Sequence, residues 1–199
     1  MRFTLAGAAL TAATALTAVA SPDIRATKRD AQVLREKVAA ITAEAAKPSK
    51  QGRRTTVTEN EVNAYLAYDA GSQIPVGVVD PGVSILGEGR LSGRAVVDLD
   101  AFRRQRNPTS IFDPMNYLSG RLPVAASGVL TTKEGVGKFL LESASISSVP
   151  IPKLLLQELV AYYSKTPQNP SGINIDDPFA LPAKIREIRV ERGQAIVVQ

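Results

Sequence analysis

The sequence predicts an α+β fold in which a bent antiparallel sheet, built of hairpins, is wrapped around or packed on a long helix. Three features predict it: helical stripes of apolar residues, stretches with two-residue alternation, and short glycine-containing turns between those stretches. Hairpins interspersed with helices are typical of α+β proteins rather than of doubly wound parallel sheets.

Two helices are expected near the start of the chain. The first runs from about Asp30 to Ala46, because its apolar positions are four, three and four residues apart and form one stripe: Leu34, Val38, Ile41 and Ala45. The second begins at Thr58, which forms a capping-box signature with Glu61 three residues later. Gly71 is expected to end this helix.

Two hairpins follow. Between Val83 and Leu99 apolar residues occupy odd positions and most even positions are polar, which predicts a hairpin with one wet face that turns at Gly87-Glu88-Gly89. The second hairpin has strands at Leu122–Leu130 and Lys138–Val149. The segment Phe102–Pro114 between the hairpins is expected to be an irregular crossover.

A third helix and a last hairpin complete the predicted fold. The helix starts near Pro152, whose fixed φ suits a first helical turn, and it carries three consecutive leucines from Leu154 to Leu156. The closing hairpin is expected to join Ala183–Glu191 to Gln194–Gln199 through a turn at Arg192-Gly193.

Residues 1–20 have the three parts of a secretory signal peptide. Arg2 is the positive start, an apolar stretch follows, and Ala18-Val19-Ala20 forms a cleavage site. We therefore divide the chain into a signal peptide (1–20), an N-terminal helix with a polar linker (21–56) and a single α+β domain (57–199). This division predicts export to the periplasm or the cell exterior, with a soluble product after cleavage.

The composition excludes several kinds of chemistry. The chain has no His and no Cys, which excludes Ser-His-Asp and Cys-His catalysis and the common zinc sites. We expect no cofactor and no metal. The net charge is +5, but the basic residues are scattered and Trp is absent, so nucleic acid is not an expected partner. Asp98 and Asp100 lie two residues apart and keep a carboxylate-pair enzyme open as a third alternative.

The leucines of the third helix favour a lipid or another apolar ligand. Three consecutive leucines spread apolar surface beyond one stripe, so this helix must be contacted on two sides. One interpretation is plain packing. The other is a helix in a curved sheet whose remaining apolar surface forms a groove for an acyl chain. The expected ligand-binding residues are Phe139, Leu141, Leu155, Leu159 and Tyr163.

The crossover also carries an arginine cluster, formed by Arg103, Arg104 and Arg106. Acidic residues are rare around it, between Asp100 and Asp113. Clustered arginines favour a weak contact with an anionic membrane surface. The plainer interpretation is a charged, solvated loop.

Several segments resemble a known family. They are Thr58–Leu66 (TENEVNAYL), Val97–Asp100 (VDLD), Val149–Leu155 (VPIPKLL), Asp177–Pro182 (DPFALP) and Ile188–Gly193 (IRVERG). Together they resemble small secreted lipid-binding proteins of the LmeA and YpmS kind, which are similar to the tubular lipid-binding (TULIP) superfamily. The resemblance spans roughly Val57 to Gln199. It implies a long helix wrapped by a strongly bent sheet, an apolar lumen, and lipid binding without catalysis.

The sequence therefore supports one leading function and one alternative from another class. The leading function is an exported, non-catalytic protein that binds a lipid or other hydrophobic ligand in an apolar groove at the cell envelope. The alternative is a structural or partner-binding envelope protein with a dry core, docking through an exposed hairpin edge or the basic crossover. A tunnel or a packed interior would distinguish the two.

Overall fold

The computed structural model describes residues 26–46, 52–71, 73–105, 119–165, 167 and 169–199. The signal peptide predicted at residues 1–20 lies outside the described residues. In chain order the elements are α1 (Lys28–Ala45), β1 (Arg54–Thr58), α2 (Glu59–Tyr68), β2 (Val78–Gly87), β3 (Arg90–Asp98), α3 (Leu99–Gln105), β4 (Arg121–Lys133), β5 (Val136–Ile146), β6 (Val149–Pro150), α4 (Lys153–Tyr163), β7 (Phe179–Ala180), β8 (Glu187–Glu191) and β9 (Gln194–Val198). The predicted α+β class, with a bent antiparallel sheet of hairpins and a helix, is confirmed.

The larger sheet has the strand order β2-β3-β4-β5-β6, and β7 also pairs with β5. Both predicted hairpins are present in it. Their turns have positive φ at two central residues, Glu88-Gly89 and Glu134-Gly135, as two-residue hairpin loops of the primed types require. The β4–β5 ladder shifts register between Ser127 and Gly128. Such a bulge bends the strand and increases its twist, which accounts for part of the curvature of the sheet.

The smaller sheet has the order β1-β9-β8. The closing hairpin β8–β9 was predicted, whereas β1 was not. Our domain division places the start of β1 in the polar linker. Its sequence, Arg-Thr-Thr-Val-Thr, is rich in β-branched residues, which favour strands even where the run is polar.

Helix ends follow local hydrogen bonds. The predicted capping box of α2 is present: Glu61 N donates to Thr58 Oγ1 (3.3 Å) and Thr58 N donates to a Glu61 carboxylate oxygen (3.0 Å). The expected end at Gly71 was wrong, because α2 stops at Tyr68. The expected irregular crossover was also wrong at its start, since α3 is helical there. Asp98 Oδ1 accepts from Ala101 N at 2.8 Å, the bond of a helix N-cap.

The tightest apolar cluster lies between α1 and the smaller sheet. Its buried members are Leu34, Ile41, Val57, Leu181, Ile185 and Val197. Ion pairs hold α1 on α2 around this core: Arg35 to Asp69 at 2.6 Å and Lys37 to Glu61 at 2.6 Å. We call this cluster the α1 core.

Side chains of α2 close the outer edge of β2. The amide of Asn63 accepts from Val83 N and donates to Val83 O, both at 2.8 Å. A carboxylate oxygen of Glu59 accepts from Ile85 N at 2.6 Å. These bonds pair backbone groups that a free edge strand would leave open to another chain.

Candidate functional site

One face of the larger sheet is formed by apolar residues and glycines, apart from Thr132 near the β4–β5 turn, whose hydroxyl is bonded to the Ile188 backbone. We call it the apolar face. Cross-strand register assigns its members, because residues directly opposite each other in an antiparallel pair point to the same side. They are Val78, Val83, Ile85, Leu91, Gly93, Ala95, Val97, Leu122, Val124, Ala126, Gly128, Leu130, Phe139, Leu141, Ala144 and Ile146.

The opposite face of the same strands is mostly polar. Arg90 pairs with Glu142 across it at 3.7 Å, and the hydroxyls of Ser127 and Ser143 lie 2.7 Å apart. Arg94 and Lys138 are exposed there. The sheet is therefore amphipathic, which confirms the wet face predicted for the first hairpin.

The apolar face is sheltered without being packed. Only Ile85, Gly128 and Ala144 of its sixteen members are buried, and the other thirteen are half-buried. Among the described residues, no large side chain is fully buried. A packed protein interior leaves few gaps, so a broad half-covered apolar surface has room for additional apolar atoms.

Aromatic rings close this face at one end. A Cβ built on Gly128 would lie 2.6 Å from Cζ of Phe139, and one built on Gly137 would lie 2.7 Å from Cζ of Phe179. Both rings thus lie directly on glycine backbone, where any larger residue would displace them. Leu181 lies beside Phe179 and belongs to the α1 core, so this closed end continues into packed interior.

At the other end of the apolar face, which we call the open end, the residues that the structure describes leave the side chains only half-buried. Val78, Val97, Leu122 and Ile146 lie there and are half-buried. Val149 of β6 pairs directly with Ile146 and is exposed. The apolar face therefore extends from an open end at β6 to the aromatic rings near the β4–β5 turn.

A cavity of about 730 Å³ lies between α4 and the loop 169–179, which we call the strap. Ala161, Ile173, Ile175, Pro178 and Phe179 supply its apolar lining. Phe179 also covers Gly137, so the cavity reaches the rim of the apolar face. Its volume lies in the range of about 300–1,000 Å³ that is usual for ligand pockets.

Hydrogen bonds fasten the strap to α4. Gln157 accepts from Ile175 N at 2.8 Å and donates to Ile173 O at 3.2 Å. Ser164 Oγ accepts from Ile173 N at 2.6 Å, and Lys153 pairs with Asp176. These bonds occupy the polar atoms of Gln157, so its contribution to the cavity is structural.

A smaller hollow of about 390 Å³ lies mainly on the opposite face. Arg94, Val96, Pro123, Ala125 and Ser145 contribute to its lining. It is separated from the apolar face by the thickness of the sheet. Ligand binding at the two places can therefore be distinguished by substitutions on neighbouring residues of β4.

The predicted groove residues are partly brought together. Phe139 and Leu141 share the apolar face. Leu155 belongs to α4, which lies against β5, and its side chain is exposed. Leu159 and Tyr163 are also in α4, but their side chains lie outside the described part of the structure.

Two of the three predicted docking arginines, Arg103 and Arg104, belong to α3. Arg104 is exposed. Arg103 is in the helix with its side chain outside the described part, and Arg106 lies outside the described residues. Where these three side chains lie relative to each other therefore stays a prediction.

The aspartates singled out for acid–base chemistry have local structural partners. Asp98 accepts from Ala101 N and lies 3.3 Å from Nε of Arg121, while Asp100 accepts from Gly120 N at 3.0 Å. The bond from Ala101 N is the main cause that lowers the pKa of the Asp98 carboxyl below its usual value, and the bond from Arg121 adds to it. Within the described residues, no group of three or more acidic side chains is placed to hold a metal ion.

Sequence reasoning missed the aromatic end of the site. The signal was present as glycines inside strand patterns, Gly128 and Gly137, which indicate close approach by another group. These glycines alone did not reveal that the approaching groups are Phe139 from the same hairpin and Phe179 from a distant segment. Only the register and the return of the chain at β7 bring these residues together.

In the part of the chain that the structure describes, no helix is both long enough and apolar enough to span a bilayer. A scan against protein-family models, a search of curated proteins and a search of solved structures each gave no match.

Proposed function

We propose that this chain is an exported, non-catalytic protein that binds a lipid or another hydrophobic ligand along the apolar face of its larger sheet. The observation that carries the proposal is the state of that face: sixteen apolar or glycine positions, of which thirteen are only half-buried. An acyl chain placed there would complete the burial that the protein's own side chains leave unfinished.

The dimensions of the face suit an extended chain. Leu122 and Leu130 of β4 are eight residues apart, which corresponds to roughly 26 Å at the usual strand rise. Each buried methylene contributes about 0.8 kcal/mol, so ten would contribute about 8 kcal/mol before the cost of association. That gain needs no specific polar contact, in keeping with a face that has none.

The ends of the face suggest the orientation of the ligand. Phe139 and Phe179 would stop the apolar tail at the closed end, where the α1 core begins. A polar headgroup would then remain at the open end near β6, in contact with water. The resemblance to LmeA-like and TULIP proteins is compatible with this arrangement and remains a proposal, as do export and the absence of catalysis.

Neighbouring alanines on β4 provide the decisive test. Ala126 lies on the apolar face and is half-buried, whereas Ala125 lies on the opposite face and is exposed. We expect Ala126→Glu to lower the affinity for a fluorescent fatty acid by at least about tenfold, since it places a charge against an apolar ligand. Ala125→Glu should leave binding unchanged.

Native mass spectrometry of protein purified from its own envelope supplies the second readout. We expect a co-purifying lipid with wild type and with Ala125→Glu, and none with Ala126→Glu. If both variants, or Ala125→Glu alone, lose the co-purifying lipid, we would instead assign the ligand site to the hollow on the opposite face. No lipid and no fatty-acid uptake by the wild type would contradict the function itself.

The arginine cluster is proposed to assist by weak contact with anionic membrane. Replacing Arg103, Arg104 and Arg106 with Gln should lower binding to anionic vesicles and leave fatty-acid uptake in solution unchanged. Each arginine can contribute about 1 kcal/mol near such a surface, and salt screens it over about 8 Å. Equal vesicle binding by variant and wild type at low salt would remove this role.

The alternative is a partner-binding envelope protein, and the β5 edge favours it. Only Val136, Gly137, Ser145 and Ile146 of that outer edge pair with β7 or β6 among the described residues. The stretch between them is able to accept an added strand from another protein. Unchanged fatty-acid uptake in Ala126→Glu, together with a protein partner that protects β5 amides from hydrogen exchange, would support this alternative.

A further inference from the structure

The two most exposed large apolar side chains of the described residues, Leu154 and Val149, lie close together where β6 leads into α4, and Leu155 beside them is also exposed. Leu154 is 73% exposed, Val149 is 63% exposed and Leu155 is 46% exposed. All belong to the segment 149–155, Val-Pro-Ile-Pro-Lys-Leu-Leu, which we call the knuckle. Exposure of this degree is unusual for three large apolar side chains so close in sequence, so the knuckle needs an explanation beyond the fold.

The β6 half of the knuckle, residues 149–152, has few free backbone donors, whereas the first turn of α4 has no side-chain cap. Pro150 and Pro152 have no N–H group, and Ile151 N donates to Ala144 O at 2.9 Å. Fewer backbone donors are therefore left to be stripped of water when this segment leaves solvent. The prolines also restrict the backbone, so the segment loses little entropy on docking.

The knuckle lies at the open end of the apolar face. Val149 is the direct cross-strand partner of Ile146, so the two side chains point to the same side of the sheet. A ligand that enters or leaves the apolar face on the β5–β6 side of this end passes beside the knuckle. Whatever the knuckle contacts is therefore adjacent to the source of the ligand.

The outer side of α4 continues the knuckle with the residue types of a membrane interface. Tyr162, seven residues after Leu155, is 48% exposed, and Nζ of Lys165 lies 5.9 Å from its ring centre. Leucine, tyrosine and lysine in this order are typical of a helix at the boundary between headgroups and acyl chains. A few apolar side chains are also too small a surface for a stable protein interface, which needs about 800 Å² from each partner.

We propose that the knuckle inserts into the outer layer of a lipid bilayer and holds the open end of the apolar face against it. The inference rests on the proposed function, since it names the membrane as the partner of the same site. It differs from the arginine contact in its physics. Lys153 is already paired with Asp176, so insertion here depends on apolar burial and should be insensitive to salt.

The absence of Trp from this chain allows a direct measurement. Leu154→Trp introduces a single tryptophan at the knuckle, and Tyr68→Trp introduces one at another exposed site (49%), on α2. We expect vesicles of pure phosphatidylcholine to shift the emission of the Leu154→Trp protein to shorter wavelength, with quenching by brominated lipid. The Tyr68→Trp protein should show neither change.

Three results would overturn the insertion. The first is an unchanged Leu154→Trp spectrum with vesicles of pure phosphatidylcholine and with vesicles of equal parts phosphatidylcholine and phosphatidylglycerol. The second is the same blue shift on raising protein concentration without vesicles, which would assign the knuckle to a second copy of the chain. The third is an equal shift at both tryptophans, which would contradict specific insertion of the knuckle.

Leu154→Asp separates this inference from the proposed function. In co-sedimentation with phosphatidylcholine vesicles it should reduce binding by roughly tenfold or more, because one leucine side chain no longer enters the bilayer. Its fatty-acid affinity in vesicle-free solution should equal that of the wild type. If Ala126→Glu still binds fatty acid while Leu154→Asp no longer binds vesicles, the proposed ligand site is wrong and the insertion is supported. If Ala126→Glu no longer binds fatty acid while Leu154→Asp still binds vesicles, the ligand site is supported and the insertion is wrong.

Discussion

The α1 core and the apolar face consist of the same kinds of residue but differ in how completely they are covered. In the α1 core a helix lies on a small sheet, and all six members are buried. The apolar face belongs to a larger sheet, and most of its members are half-buried. The protein's own side chains cover the first region completely, whereas they leave the second region only half-buried.

If the proposed function is right, this difference separates the residues that stabilise the fold from the residues that bind the ligand. Burial in the α1 core holds α1, β1 and the closing hairpin together, so it contributes to folding directly. The apolar face contributes less per side chain, because part of each remains in contact with water. Substitutions on the apolar face should therefore affect ligand affinity more than folding.

The largest effect is expected on the free energy of unfolding, when one leucine in each region is truncated to alanine. Leu34→Ala in the α1 core should lower the free energy of unfolding by about 2–4 kcal/mol, since it removes a buried side chain and leaves a cavity. Leu122→Ala on the apolar face should cost about half as much, because no closed cavity forms. Denaturant unfolding of both variants without ligand measures the difference. Equal costs would mean that the apolar face is packed.

A second prediction concerns the closed end, where Phe139 lies on Gly128. Phe139→Ala should move the preferred fatty acid to longer chains, with a gain of roughly tenfold for a chain about two methylenes longer. Leu140→Ala, on the opposite face of the same strand, should leave the preference unchanged. Titration with a series of saturated fatty acids tests this, and Phe139→Leu provides a milder change if alanine destabilises the hairpin. An unaltered preference in both Phe139 variants would show that the ring does not limit the ligand.

Local patterns allowed most of the fold to be predicted from sequence. Two-residue alternation and glycine turns marked β2 to β5, and the Thr58–Glu61 pair marked the start of α2. The same local logic failed for β1, whose strand character depends on pairing with β9 more than a hundred residues away. It also missed the capping box of Thr27 and Asp30 at the start of α1.

The site was less accessible to sequence reasoning because its parts meet only through tertiary structure. Phe139 and Leu141 were assigned to the groove, and register places both on the apolar face. Phe179 was named only within a family resemblance. Its position over Gly137 depends on β7 returning to β5 after α4 and the strap. Exposure at the knuckle likewise depends on which side of α4 contacts the sheet.

A smaller effect is expected at the strap. Gln157→Ala removes the bonds to Ile173 and Ile175, at about 1 kcal/mol for a typical hydrogen bond. Hydrogen exchange at the Ile175 amide should accelerate, while global unfolding changes little because the strap lies outside the α1 core. Glu158→Ala, at the exposed neighbouring position, is the control. Slow exchange retained in Gln157→Ala would mean that the strap is held by other contacts.

The smallest expected effect is a pH dependence at the junction of β3 and α3. The backbone N–H of Ala101, and after it Arg121, keep the pKa of the Asp98 carboxyl below its ordinary value of about 4. A carboxyl with a lowered folded-state pKa stabilises the fold above its unfolded-state pKa, and this contribution is lost as pH falls through the folded-state value. We therefore expect Asp98→Asn to be less stable than wild type at pH 6, with the difference shrinking as the pH falls below about 4.

Arg121→Gln sharpens this test, because it removes the weaker cause and keeps the bond from Ala101 N. The share of the acid dependence that belongs to Asp98 should mostly survive in Arg121→Gln and be lost in Asp98→Asn, as measured by urea unfolding between pH 6 and pH 2.5. The α1 region offers a comparison within the same chain, since Thr27 lowers the pKa of Asp30 in the same way at the start of α1. Asp30→Asn should therefore also reduce the acid dependence of unfolding, while leaving fatty-acid binding untouched. An acid dependence that persists unchanged in both aspartate variants would assign it to other carboxylates and leave both caps without a measurable electrostatic role.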